Sequence, residues 1–275
     1  MTLSYLAAFA IRNANATQGI LFALVVVSLW LTERVVLAQS ASDKLRHARV
    51  NILLMLTVLP VQLCMTLICV HVAYWTQANH VGLVYLLPDP ENPFLKFGFM
   101  FLALDFLDYV YHYIAHRTDF LWQFHLVHHT DRNVDVTTTF REHPGETLIR
   151  VCFLTLWVLI CGASIEVLIL RQTIETVANV SQHTALPLPR KFARALSWIF
   201  VTPNLHHAHH HYRRPGTNCN YGDVFSIWDR LFGTYVELAQ EDTVFGLDTH
   251  MAEGVSTNFL GLLGVRDVRE IKQFL

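Results

Sequence analysis

The sequence predicts an all-α integral membrane protein with about four transmembrane helices, one of which reads as a hairpin, and a cytoplasmic helical cap carrying histidine clusters. Three observations predict this class. Hydrophobic residues make up 53% of the 275 and charged residues only 15%, with a mean hydropathy of +0.34, outside the range of ordinary soluble domains. Several apolar runs are long enough to cross a bilayer at about 1.5 Å per residue. Twelve of the sixteen histidines fall between His112 and His211, at spacings that share a helix face. The net charge of −2 argues against nucleic acid as a partner, which needs a basic surface. Five cysteines without a CxxC pair give neither a disulfide framework nor a thiolate metal site. The first eleven residues lack a basic region and a small-residue cleavage site, so a removed signal peptide is not expected.

Residues 19–37 form the first expected span, closed by Glu33 and Arg34, and residues 50–75 form the second, with Pro60 expected to kink it and Tyr74 and Trp75 at its interfacial end. Between them lie Arg34, Lys44, Arg46 and Arg49, whereas residues 76–92 contain no Lys or Arg. By the positive-inside rule the first loop is cytoplasmic and the N-terminus is not. The third span starts near Pro93 and delivers His112 and His116 to the cytoplasmic side. Asp105 and Asp108 fall on the same helical arc as these two histidines. Carboxylates there are costly in lipid, so both are expected to accept the second ring N–H of metal-bound histidines.

Residues 147–161 and 165–181, joined by a turn at 162–164, read as a hairpin that returns His183 to the histidine side, with Arg171 and Glu175 paired at i, i+4. Residues 187–194 read as an interfacial element, and the remainder as a cap over the metal face. No repeat or linker divides the chain, which is read as one integral domain over 1–275: N-terminal helices over 1–92, a catalytic region over 93–237 and a cytoplasmic tail over 238–275.

The chemistry resides in HYIAH at 112–116, in HLVHH at 125–129 and in HHAHH at 206–210. On helices the pair His112 and His116, and the two triplets His125, His128, His129 and His206, His209, His210, each present a common face. Eight imidazoles exceed the four to six ligands of one ion, so the count asks for two metals. His207 and His211 turn about 100° away from the neighbouring ligand candidates and are expected to be solvated or to meet lipid headgroups beside Arg213 and Arg214. A membrane zinc carrier or sensor is the alternative class. Against it, the clusters lie at the ends of the spans and not midway along them.

These segments, together with WQFHLVHH at 122–129, REHPGE at 141–146, QH at 182–183, TPNLHHAHH at 202–210, NYG at 220–222 and WDRLFGTY at 228–235, resemble the fatty acid hydroxylase and sterol desaturase superfamily of membrane di-iron enzymes. The resemblance covers residues 93–237. It implies a dioxygen-dependent oxidoreductase of monooxygenase type that hydroxylates or desaturates a C–H bond of a lipid such as a fatty acyl chain or sterol. It nominates His112, His116, His125, His128, His129, His183, His206, His209 and His210 as ligands of two iron ions, with His143 as a further candidate and zinc as a substitute on overproduction. The partners it implies are a lipid substrate, the surrounding membrane lipids and a separate cytochrome b-type or ferredoxin-type electron carrier, because no flavin, nicotinamide or haem module is recognisable in the chain. Arg117, Arg132, Arg213 and Arg214 form the basic surface where an acidic carrier would dock. The expected location is the endoplasmic reticulum in a eukaryote or the inner membrane in a bacterium.

Overall fold

The computed structural model describes residues 14–89, 92–186, 188–214, 216–252 and 254–264. The readings that fall on the first eleven residues, on Pro187, and on 265–275 of the tail lie outside the described residues. The helices are α1 (Ala14–Val36), α2 (Ala41–Asn79), α3 (Pro93–Ala115), α4 (Asp119–His129), α5 (Pro144–Cys161), α6 (Ile165–His183), α7 (Arg190–Leu196), α8 (Pro203–His209), α9 (Ile227–Phe232) and α10 (Phe259–Leu263). Among the described residues there is no sheet, only isolated bridges between Phe200 and Phe225 and between His211 and Phe245.

Local chemistry sets the helix ends. Asn92 caps α3 by accepting from the N–H groups of Phe94 and Leu95, at 3.1 and 3.3 Å, with Pro93 in the first turn where its missing donor costs nothing. The hairpin of α5 and α6 turns at Gly162, which is left-handed at φ 72°, and restarts at Ser164, whose hydroxyl accepts from Val167 N–H. Gly162 also packs against Gly82, where a Cβ would lie 2.3 Å from the Gly162 backbone. Both positions require the smallest residue.

α2 packs along α5, and α3 joins them around a core of Cys69, Ala73, Met100, Leu104, Val158 and Val167. The opposite side of α2 exposes Leu56, Leu59, Leu63 and Leu67, each at least half accessible. Four leucines on one helical face, turned away from the core, form the surface a lipid environment requires. By length and composition, two stretches are able to cross a membrane, Ala41–Leu86, which contains α2, and Pro144–Cys161, which is α5. α2 continues as helix through Pro60. The other expected spans carry charge: α3 holds Asp105 and Asp108, and α6 holds Glu166, Arg171 and Glu175.

A buried polar anchor ties these helices to the loop after α4. Lys44 Nζ lies 2.9 Å from Glu33 and 2.8 Å from Asp135, and all three side chains are almost fully buried. The other Glu33 oxygen accepts from Val136 N–H, Thr184 Oγ1 and Ala185 N–H at 3.2, 3.0 and 2.8 Å. Lys44 is therefore an internal counter-ion and not a free loop charge, while Arg34, Arg46 and Arg49 are exposed. Arg141, fully buried, donates to the Val127 carbonyl, Asn51 Oδ1, Thr130 Oγ1 and the Ser256 carbonyl, and so fixes the C-terminal end of α4 against α2.

Candidate metal centre

Nine histidines from four helices converge in two groups. His112, His116, His125, His129 and His209 form one, His128, His183, His206 and His210 the other, and within each group one ring nitrogen from each residue lies within 4.8 Å of the others. These are the nine residues nominated above. The groups adjoin: the rings of His129 and His210 stack at 4.7 Å, and those of His125 and His128 are 5.7 Å apart. α4 gives His125 and His129 to the first group and His128 to the second, whereas α8 gives His209 to the first and, with its cap residue, His206 and His210 to the second. Residues four apart stack on one edge of a helix and the residue between them faces another way.

The outer ring nitrogens are pinned. Nδ1 of His112, His128, His183 and His209 donates to the carbonyls of Tyr221, Arg141, Asn179 and Cys219 at 3.0, 3.1, 2.8 and 2.6 Å. Nδ1 of His125 donates to Glu146 Oε1 at 2.5 Å. Because a carbonyl only accepts, each of these rings carries its proton on Nδ1 and a lone pair on Nε2. Yet Nε2 of His112 faces Nε2 of His125 at 3.1 Å, and Nε2 of His183 faces Nε2 of His128 at 3.2 Å. Two lone pairs at that distance repel unless a cation lies between them.

Protonation is a poor source of that cation. Burial, reinforced by the neighbouring histidines, pushes His128 down to about 3 and holds His116, His129, His206, His209 and His210 well below the ordinary 6.5. His125 is likewise pushed down to about 4 by burial. Nε2 of His116 and His209 and Nδ1 of His129, His206 and His210 are buried without a hydrogen-bond partner. Neutral imidazoles with inward lone pairs and orphaned nitrogens are a donor set that fits metal ions.

Several expectations are corrected. Asp105 accepts from Val224 N–H at 3.1 Å and Trp228 Nε1 at 2.6 Å, and Asp108 pairs with Arg171, which also bonds Glu175 at 2.5 Å. Neither carboxylate meets a histidine, because the α3 face that carries them meets α6 and the 223–228 segment one to two turns before the histidines begin. The expected pair of Arg171 and Glu175 is present. His143 belongs to neither group; its Nδ1 accepts from Gly145 N–H at 2.9 Å and caps α5. His207 is buried against Phe245, with ring centroids 5.1 Å apart, and is not solvated, since residues 243–247 fold over it. His211 Nδ1 accepts from Val244 N–H at 3.1 Å.

Two residues at the centre had no role assigned from sequence. Glu146 orients His125, and its signal was the carboxylate of REHPGE. Tyr221, wholly buried, packs its ring against His112, His116 and His209 at 5.6, 5.1 and 5.9 Å. Its signal was NYG. Of the basic surface, Arg117 lies over the Tyr113 ring, Arg213 over Tyr212, and Arg132 donates to the Met251 carbonyl.

Comparison with known proteins points the same way. The chain is 31% identical over 127 residues to an ornithine lipid hydroxylase of Rhizobium tropici, covering 46% of this chain and 38% of that one. It is 31% identical over 151 residues to alkylglycerol monooxygenase of Xenopus tropicalis, covering 54% and 32%. To a cholesterol 25-hydroxylase-like protein of Danio rerio it is 28% identical over 134 residues, covering 48% and 52%. The chain thus spans about a third to a half of the length of these relatives. No solved structure matches. The fatty acid hydroxylase family model matches residues 97–234, a stretch that contains all nine clustered histidines, and this chain belongs to the fatty acid hydroxylase family.

Proposed function

We propose that this protein is a membrane-bound di-iron oxygenase that uses dioxygen and external electrons to hydroxylate or desaturate a C–H bond of a lipid. The observation that carries the reading is the pair of opposed Nε2 lone pairs, His112 against His125 and His128 against His183, inside two adjoining groups of buried histidines. The five-histidine group would hold one iron and the four-histidine group the other. Iron bound there would supply the redox chemistry that attack on an unactivated C–H bond needs and that zinc lacks.

The protein's own part is orientation and exclusion of water. Four backbone carbonyls and Glu146 fix the tautomer of five rings, so their lone pairs face inward before any ion binds. Tyr221 covers one side of the first group, and the buried anchor at Lys44 holds the loop after α4 in register with α2. The relatives' names, ornithine lipid hydroxylase and alkylglycerol monooxygenase, support a lipid as substrate. In this reading 93–237 is the catalytic region, α1, α2, α3 and the hairpin of α5 and α6 make the four crossings, the histidine face is cytoplasmic, and Arg117, Arg132, Arg213 and Arg214 receive a separate electron carrier.

The test is metal analysis of membrane-purified protein together with lipid analysis of cells with and without the intact gene, grown under isotopically labelled dioxygen. Two iron ions per chain and a lipid with a new labelled hydroxyl, or a new double bond, are expected. One equivalent of metal or none in folded protein, or full turnover by zinc-only protein, overturns the di-iron reading. Labelling of a cysteine placed at Ser42 from outside the intact membrane overturns the topology.

A further inference from the structure

Beside the metal centre, but outside it, lies a half-open cavity of about 340 Å³. One wall is α7, with Arg190 and Arg194; the segment leading to 241 supplies Glu237 and Glu241; Thr202 and Asn204, at the start of α8, complete it. Thr202 is 3% exposed and its hydroxyl is buried without a hydrogen-bond partner. Arg190, Arg194 and Glu241 make no side-chain ion pair or hydrogen bond among the described residues, although opposite charges line the same cavity. A buried hydroxyl without a partner, two exposed guanidinium groups and two exposed carboxylates, of which Glu237 also accepts from the Tyr235 hydroxyl at 2.5 Å, line one cavity with both signs of charge, the lining that suits a ligand carrying both.

The surroundings say where such a ligand comes from. Phe192, Trp198 and Ile199 are 55%, 64% and 53% exposed, interleaved with Arg190, Lys191 and Arg194 on α7 and the turn after it. Exposed aromatic and basic side chains together are the composition of an element seated at a bilayer interface. The cavity also includes Leu205, the residue before His206, so its wall is the helix that brings histidines to both groups.

We propose that this cavity binds the zwitterionic headgroup of a membrane lipid, its anion on Arg190 and Arg194 and its ammonium on Glu237 and Glu241, with the Thr202 hydroxyl as a further contact. The proposal rests on the reading of the protein as a lipid-acting enzyme and adds the class of lipid. The headgroup would be held beside α8 while the chains remain in the membrane.

The test is equilibrium binding to the full chain in detergent, with its metal content measured, using three short-chain probes, dihexanoyl-phosphatidylethanolamine, dihexanoyl-phosphatidylglycerol and dihexanoylglycerol, and the chain-free headgroup glycerophosphoethanolamine as a control. The zwitterionic probe is expected to bind about ten-fold more tightly than the neutral one, and R190Q/R194Q and E237Q/E241Q are each expected to remove most of that preference, as a few partly exposed charge pairs would. Thr202→Val is expected to weaken the same probe without lowering the melting temperature, because its hydroxyl has no partner in the free protein; a fall in melting temperature with unchanged binding would assign the hydroxyl to folding. Equal binding of the three probes, or preferences that survive both double variants, overturns the site. Preference for the anionic probe that ignores E237Q/E241Q overturns the zwitterion. Glycerophosphoethanolamine binding as tightly as its lipid overturns the membrane source. If the binding pattern holds while no lipid is turned over, the functional reading fails and the headgroup site stands.

Discussion

His125, on α4, donates through Nδ1 at 2.5 Å to Glu146, 21 residues further on in the first turn of α5. The carboxylate fixes the ring's tautomer and raises the basicity of the opposite nitrogen. Glu146→Gln, which keeps an acceptor but loses the charge, is expected to lower metal affinity by about 10-fold, and Glu146→Ala by up to about 100-fold. Chelator competition on folded protein measures both. Equal affinity in the two variants and the parent would mean that the bond only supports folding.

Within residues 206–211 the structure sorts three roles. His209→Ala is expected to lose metal and activity. His207→Ala is expected to keep metal but lower stability by about 1–2 kcal/mol, as loss of a buried aromatic contact does. His211→Ala, at a half-exposed bond to Val244 N–H, is expected to keep both to within a few-fold. Metal content and melting temperature of each, measured side by side, check the assignment; a metal-free but stable His211→Ala protein would contradict it.

Lys44 sits between Glu33 and Asp135 with almost no access to solvent. Lys44→Met leaves the Glu33 carboxylate without a counter-ion and the Asp135 carboxylate with only His47, 3.5 Å away, and is expected to cost about 3–5 kcal/mol. The double variant Glu33→Gln/Lys44→Met removes one of those charges and is expected to recover part of the loss. Thermal unfolding of the three proteins in one detergent decides it. A Lys44→Met protein as stable as the parent would show that the anchor carries no weight.

Acid should dismantle the histidine centre before it reaches most carboxylates. His125 and His128 are held at about 4 and about 3 in the folded protein, below the unfolded value near 6.5. The unfolded chain therefore binds more protons between these values, and stability, complete above about pH 6.5, falls as pH drops through that window. Each such histidine contributes a slope of up to about 1.4 kcal/mol per pH unit. Melting temperature of the metal-free protein followed from pH 7.5 to pH 4.5 should decline most steeply below pH 6.5. A flat profile would mean that these rings are already charged in the fold.

Eight of the nine clustered histidines were legible because helical spacing makes i, i+3 and i+4 neighbours whatever surrounds them; His183, which has no such neighbour, was legible only through the resemblance of QH at 182–183. The hairpin was legible for a similar reason, since Gly162 and Ser164 end and start helices by local chemistry. What faced each helix was not legible. A helical wheel placed Asp105 and Asp108 on the arc of His112, but their partners, Trp228 and Arg171, come from 123 and 63 residues away. The same limit hid the burial of His207, which depends on Phe245, and of Lys44, which depends on Asp135. The division of each histidine triplet between two groups was equally hidden, because the spacing says which rings share a face and not which neighbour that face meets.

That division has a consequence for how the two positions are related. Since α4 and α8 each reach both groups, the spacing between their own contributions to the two groups is set inside single helices, by a rise of about 1.5 Å and a turn of about 100° per residue, and not by how one helix docks on another. Sliding or tilting α4 would carry its contributions to both positions together, leaving the spacing along that helix unchanged. The backbone hydrogen bonds of two short helices thus act as a gauge block, protecting the spacing of the histidines they carry from the slow breathing of the bundle.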